Sequence, residues 1–203
     1  MLKVYHAANT RSIRVIWLLE ELGVPYKKEV VEFNPTKLQS PDYLAIHPLG
    51  KLPAIDDDGL ILTESGAILQ YLLAKHSHSH LTPELGTPGY GKYLQWFHFA
   101  EATVMPPISQ ILQHTIRKPE KDRVQSVVVD AKAALDKCMK VLDRELANKP
   151  FLCGDQLTAA DIMLGYDLYL YTFVGIPMDD YPNVIAYFAR LTERPGFQKA
   201  IAV

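Results

Sequence analysis

The sequence predicts an α/β domain followed by an all-helical domain. Three observations predict it. Short apolar runs of strand length alternate with helical periodicity through the first 76 residues. A stretch rich in serine, proline and glycine follows, and beyond it every periodic segment repeats at helical spacing with no strand signal. The chain has 203 residues, 48% of them hydrophobic, enough for one large or two small packed domains.

The elements follow in order. Residues 3–6 alternate weakly and read as a first strand, which runs into the polar turn Ala8-Asn9-Thr10-Arg11-Ser12. Ile13, Ile16, Trp17 and Leu19, widened by Val15, Leu18 and Leu22, form the apolar stripe of a helix. Gly23 stops it and Pro25 follows, as expected past a C-terminal cap. Residues 28–31 are a β-branched run and a second strand. Residues 33–49 are irregular, with a short helix around 41–46. Leu52-Pro53-Ala54-Ile55 and Leu60-Ile61-Leu62 are strands joined by an Asp56-Asp57-Asp58-Gly59 turn, where glycine supplies positive φ. A helix from Ser65 to His76 places Ala67, Ile68, Tyr71 and Leu72 on one face. The order β-α-β, loop, β-β-α matches the thioredoxin fold. The expected division is a thioredoxin-like domain at 1–77, a linker at 78–89 and an all-helical domain at 90–203.

In the second half, residues 90–115 form a long helix with a kink or break at Met105-Pro106-Pro107. Residues 121–146 are amphipathic. Residues 158–174 are apolar or aromatic on every side, which marks a buried central helix. Residues 183–193 make a further helix, ended by Arg194-Pro195-Gly196. Thr158 and Asp161 have the spacing of a capping box, with Leu157 and Ile162 as its hydrophobic staple, a structural device rather than a catalytic one.

Composition narrows the function. A net charge of -2 gives no electrostatic footprint for nucleic acid or an anionic membrane. No apolar run reaches bilayer length, and residues 1–6 lack the apolar core of a signal peptide. The two cysteines, Cys138 and Cys153, form neither a disulfide framework nor a Cys-x-x-Cys pair; they read as buried small hydrophobes in a reducing cytoplasm. His76, His78 and His80 alternate without a cysteine or carboxylate cluster, so a solvated linker is expected there and no metal.

One set of residues carries a binding inventory. Pro48-Leu49-Gly50-Lys51-Leu52-Pro53-Ala54 precedes Thr63-Glu64-Ser65-Gly66. A cis Leu52–Pro53 bond would leave the Leu52 amide and carbonyl facing outward to pair with an extended peptide. Ser65 at a helix start attracts a carboxylate, Glu64 takes an ammonium, and Lys51 takes a second carboxylate. The inventory suits a small peptide with two carboxylates, one amine and a central amide, and glutathione has it.

The chain resembles the cytosolic glutathione S-transferases over nearly its whole length. The residues that carry the likeness are Thr10-Arg11-Ser12-Ile13-Arg14-Val15-Ile16-Trp17-Leu18-Leu19-Glu20-Glu21-Leu22-Gly23, Gly50-Lys51-Leu52-Pro53-Ala54, Glu64-Ser65, and Gly154-Asp155 with Thr158-Ala159-Ala160-Asp161. The first run, with Trp96-Phe97 and Ala100-Glu101, looks most like bacterial and fungal members.

The resemblance implies that the nucleophile is the glutathione thiolate. A free thiol has a pKa of about 8.5, and lowering it by two units takes about 2.7 kcal/mol of selective stabilisation. One hydrogen bond to a charged acceptor contributes roughly 1.5–3 kcal/mol, so a single donor near a helix N-terminus suffices. In relatives that donor is Ser, Tyr or Cys in the turn after the first strand. Here the turn offers Asn9, Thr10 and Ser12. Thr10 takes the place of the family's serine in one alignment and Asn9 in another, while Ser12 suits the first turn of the helix. Tyr5, within the strand, is expected to pack. The absence of cysteine in this turn argues against the omega, beta and glutaredoxin-like chemistries.

The resemblance also places a small hydrophobic electrophile between the domains, with Met105, Pro106, Ile108, Tyr166 and Tyr169 as candidate contacts. It implies a homodimer in which Glu101 reaches the glutathione amine of the partner subunit. Two alternatives stand beside conjugation: a glutathione-dependent peroxidase or disulfide reductase that needs no protein cysteine, and a non-catalytic binding module of the same fold. The Lys51, Leu52-Pro53 and Glu64-Ser65 set argues against the last.

Overall fold

A computed structural model describes residues 1–76 and 80–202. Residue 77, the expected end of the first domain, and residues 78–79 of the expected linker, His78 among them, lie outside the described residues. The chain divides into two compact units, Met1–Ser79 with Thr192–Val203, and His80–Leu191.

The first unit is a four-stranded mixed sheet with helices. Its strands are β1 (Lys3–His6), β2 (Lys27–Val30), β3 (Ala54–Asp57) and β4 (Leu60–Thr63), in the order β2-β1-β3-β4. β1 runs parallel to β2, with Val4 opposite Lys28, and antiparallel to β3, with Val4 opposite Ile55. The parallel pair requires a crossover, which α1 (Ser12–Leu22) supplies. Residues Ser12 to Leu19 of α1 are buried on every face, the charged Arg14 included. Gly23 ends the helix in the left-handed conformation (φ 65°), its N–H donating to Glu20 and Leu19 carbonyls.

Two short helices, α2 (Pro35–Leu38) and α3 (Pro41–Leu44), stand where the sequence suggested one. Each begins with proline behind a capping side chain: Asn34 accepts from the Lys37 amide and Ser40 from the Tyr43 amide. β3 and β4 close through Asp58 and Gly59, both at positive φ (52° and 97°), as a two-residue hairpin turn demands. α4 (Ser65–Lys75) follows.

In the second unit, α5 (Pro88–Phe99) leads into a π-helical turn at Ala100–Val104, then α6 (Met105–Leu112) and a second π turn at Gln113–Arg117. The expected break at the prolines is displaced. Pro106 and Pro107 sit in the first turn of α6, where their missing N–H groups cost little, and the irregularity falls in the π turn before them. α7 (Gln125–Glu145) starts later than its amphipathic pattern suggested, because Glu120–Asp122 forms a 3₁₀ turn. α8 (Ala159–Tyr171) is the buried helix, with only Tyr169 of its residues not fully covered. α9 (Pro182–Thr192) follows, its free amides at Asn183 and Val184 donating to Asp143 Oδ1 at 2.8 and 3.2 Å.

The capping box forms as read: Asp161 Oδ2 accepts from the Thr158 amide at 2.7 Å and Thr158 caps the helix in return. Asp161 also accepts from the Leu152 amide and the Tyr187 hydroxyl, which joins three segments of this unit at one carboxylate.

The Arg194-Pro195-Gly196 sequence, read as a stop, opens a last helix, α10 (Pro195–Ile201). Proline at its first position is favourable rather than terminating. Residues 192–203 were expected in the helical domain but group with the first unit. Phe197 packs edge-to-face on Trp17, ring centroids 5.0 Å apart. Among the described residues no helix is long and apolar enough to cross a membrane.

Candidate functional site

The turn after β1 brings four polar side chains together. Asn9 is exposed at its tip, in the left-handed region (φ 58°) that asparagine tolerates. Thr10 is buried, and its hydroxyl lies 2.8 Å from the Ala7 carbonyl. Ser12, the first residue of α1, is fully buried; its Oγ is 2.6 Å from Thr10 Oγ1 and 2.8 Å from Nδ1 of His6. Ser12 Oγ also accepts from the Ala7 amide at 3.4 Å. Thr10 and Ser12 are thus neighbours in one network rather than rivals for one position.

His6 was missed by the sequence reading. It closes β1, is 1% exposed, and among the described residues its Nε2 finds no hydrogen-bond partner. Burial, aided by the charge of Lys28 on β2, pushes its pKa down to about 4, so the ring is neutral near pH 7. The only sequence signal was a histidine in the last position of an apolar strand.

The second cluster surrounds Gly50. Its φ is 58°, and a Cβ there would lie 2.4 Å from the Leu38 carbonyl oxygen, so no larger residue fits. Tyr43 fixes the next step by donating its hydroxyl to the Lys51 carbonyl at 2.7 Å. Tyr5 packs against Tyr43, as expected of a strand residue. The Leu52–Pro53 bond is cis. Leu52 and Pro53 are buried and Lys51 is exposed. His47 is buried nearby, and burial holds its pKa below the ordinary value against the opposing pull of Glu64.

The third cluster is the start of α4. Glu64 is exposed and carries positive φ (67°), an uncommon state for a residue of its size. The Glu64 side chain does not cap this helix, and the amides of a helix's first turn have no partner within the helix. Ser65 is buried, and Arg14 Nη1 donates to its Oγ at 3.1 Å. Arg14 is the second residue that sequence reasoning passed over. It was quoted in a motif but given no role, although a charge inside the Ile13–Leu19 apolar run was a usable signal. Since Ser12 and Arg14 share the first turn of α1, the Arg14–Ser65 bond ties the Thr10 turn to the α4 start.

Glu101 lies half-buried in the π turn of the helical unit. Met105, Ile108 and Tyr166 are buried there, Pro106 is exposed, and Tyr169 is half-buried with its ring edge-to-face on Phe173. Cys138 is buried and Cys153 partly so, and burial pushes both thiols up. Among the described residues no group of three His, Cys, Asp or Glu side chains could hold a metal.

Known proteins share this fold. Residues 1–74 match the glutathione S-transferase N-terminal domain and residues 104–195 its C-terminal domain. Glutathione S-transferase 3 of Schizosaccharomyces pombe is 30% identical, over 97% of this chain and 85% of its own. Glutathione S-transferase GstB of Escherichia coli K12 is 28% identical, over 100% of this chain and 99% of its own. The theta class glutathione S-transferase of Xanthomonas axonopodis pv. citri, solved with glutathione bound, superposes with a TM-score of 0.86 at 27% identity, covering 100% of this chain and 97% of that one. With both domains matched and the α4 start, the Gly50 turn and the Thr10 turn assembled in the first unit, the chain belongs to the glutathione S-transferase family and is a glutathione transferase.

Proposed function

We propose that the first unit binds glutathione across its three clusters and that Thr10 lowers the pKa of the bound thiol for attack on a small hydrophobic electrophile. The observation that carries this reading is the Arg14–Ser65 hydrogen bond. The guanidinium can only donate, so it fills the accepting side of Ser65 Oγ and leaves the serine proton for a carboxylate. That proton, the first-turn amides of α4 and the helix dipole form one anion site. Glu64 supplies the acceptor for an ammonium and Lys51 the partner for a second carboxylate. The Leu52 amide and carbonyl pair with the peptide between them.

The thiol is placed beside the Thr10 turn, where the start of α1 adds a positive dipole end to the hydroxyl donor. Asn9 is the second candidate donor. Met105, Pro106, Ile108, Tyr166 and Tyr169 are assigned to the electrophile. A homodimer in which Glu101 meets the glutathione amine of the partner subunit completes the reading, with the cytoplasm as its compartment. Sedimentation tests the assembly: a two-fold dimer at micromolar concentration is expected.

Calorimetry tests the central claim. The unmutated protein should bind glutathione, and Ser65→Ala should weaken binding by roughly 1–3 kcal/mol through loss of a donor to a charged group. Absence of binding by the unmutated protein would overturn the reading.

A further inference from the structure

The buried chain His6–Ser12–Thr10 has two possible hydrogen-bond directions, and they differ in what Thr10 can do. If the His6 ring proton sits on Nε2, Nδ1 must accept from Ser12. The 2.6 Å contact between Ser12 and Thr10 then holds only if Thr10 donates inward, which locks the threonine proton away from any ligand. If the ring proton sits on Nδ1, His6 donates to Ser12, whose own proton faces Thr10 at 2.6 Å and the Ala7 carbonyl at 3.3 Å; the shorter contact favours Thr10, and the Thr10 proton then goes to the Ala7 carbonyl at 2.8 Å.

The two directions are not equal in cost. Nε2 is buried and has no partner among the described residues. The first direction leaves an N–H donor orphaned there; the second leaves only a bare acceptor and gives every proton of the chain a partner. Buried donors without acceptors are the rarer and costlier case.

We propose that His6 is a positioning residue for thiol activation: with its proton on Nδ1 it sets the direction His6 to Ser12 to Thr10, so that the Thr10 proton is free to swing from the Ala7 carbonyl to the glutathione sulfur. The inference rests on the reading that Thr10 is the thiol's donor. Ser12 is then a relay that never touches the substrate. Donors in series polarise one another, so the hydroxyl presented to the sulfur is a stronger donor than an isolated threonine.

The test has a part that is independent of glutathione. Nitrogen NMR of the unliganded, 15N-histidine-labelled protein reads the tautomer of His6 directly. A proton on Nδ1 supports the proposal, and a proton on Nε2 overturns it. The second part titrates the ultraviolet absorbance of bound glutathione thiolate in His6→Asn and His6→Gln. The asparagine amide nitrogen occupies the place of Nδ1 and can donate to Ser12; the glutamine amide nitrogen takes the place of Nε2 and cannot. His6→Asn should keep the thiol pKa of the unmutated protein, and His6→Gln should raise it by about one unit, a tenfold loss of thiolate below that pKa, while glutathione affinity changes less than twofold. Equal titrations for the two variants overturn the relay. Thr10→Val separates the two readings: if it alone shifts the thiol pKa, Thr10 is the donor and His6 is not its positioner, and if it shifts nothing, both fall.

Discussion

Arg194 grips Glu21 with two parallel hydrogen bonds, Nε to Oε1 at 2.8 Å and Nη2 to Oε2 at 2.6 Å. Glu21 Oε1 also accepts from the Trp17 indole at 2.9 Å. The pair joins α1 to the residue that opens α10, although 173 positions separate them in sequence. The Glu21 side chain is 9% exposed, so the removal of its partner leaves a nearly buried charge.

Arg194→Ala should therefore destabilise the protein by about 2 kcal/mol, and Arg194→Lys should recover less than half, because an ammonium cannot form the two-pronged contact. Urea denaturation followed by tryptophan fluorescence measures both. Equal stability of Arg194→Lys and the unmutated protein would show that charge, not geometry, holds α10.

The Asp161 carboxylate accepts from four groups: the amides of Leu152 and Thr158, the Thr158 hydroxyl and the Tyr187 hydroxyl. Asp161→Ala orphans all four buried donors at once, and a loss above about 4 kcal/mol is expected. Tyr187→Phe removes a single donor and should cost about 1 kcal/mol. Thermal unfolding of the two variants gives the ratio directly, and comparable losses would mean that the Tyr187 bond carries the effect and the capping bonds add little.

Gly50→Ala should lower both stability and glutathione affinity. The substitution forces a Cβ to 2.4 Å from the Leu38 carbonyl and strains a positive φ, so the Lys51–Pro53 segment has to move. A loss of more than about 2 kcal/mol is expected from the two effects together. Calorimetry with glutathione shows whether the segment carries binding, since an intact affinity in a destabilised protein would detach the turn from the site.

The capping box was legible because its partners lie three residues apart, and the hairpin because glycine marks it. Arg14–Ser65 and Arg194–Glu21 were not, since each pairs residues brought together only by tertiary packing. The Met105-Pro106-Pro107 break was misplaced because proline at the start of a helix and proline in its interior read alike in sequence. The last helix was hidden for the same reason: Pro195 reads as a terminator until α10 is seen to begin on it. Thr10, Asn9 and Ser12 could be named from the turn alone, but the hydrogen-bonded chain that links Thr10 and Ser12 runs on to His6, whose burial no local pattern revealed.

Stability should fall as the pH drops from about 6.5 toward 4. His6 binds its proton at an ordinary value of 6.5 when unfolded and at about 4 when folded. Across that window the unfolded chain holds more protons, so acid favours unfolding and a rising pH favours the fold, by up to about 3 kcal/mol. Asp57, whose pKa is held down chiefly by its hydrogen bonds from Lys75 and Tyr71, acts with the same sign but below the ordinary carboxylate value, so the two effects separate. Denaturation midpoints at several pH values, compared between the unmutated protein and His6→Asn, isolate the histidine. Identical slopes in the two proteins would mean that the ring does not change its charge on unfolding.

Thr10→Val keeps the shape of the side chain and deletes the donor. In the unliganded turn the Thr10 hydroxyl is held by the Ala7 carbonyl and Ser12, so valine orphans one carbonyl lone pair and costs about 1 kcal/mol of stability. The larger effect belongs to the bound thiol. A hydrogen bond to a thiolate is worth roughly 1.5–3 kcal/mol, so the thiol pKa should rise by about one to two units. The rate at neutral pH should fall by about tenfold or more, with KM for glutathione nearly unchanged, because the lost interaction is made only with the ionised sulfur. Raising the pH above the new pKa should restore much of the rate, which no loss of folding would do. Asn9→Ala in parallel completes the measurement: if it shifts the thiolate titration and Thr10→Val does not, the exposed asparagine at the tip of the turn is the donor, and the threonine serves only to hold the turn on Ala7.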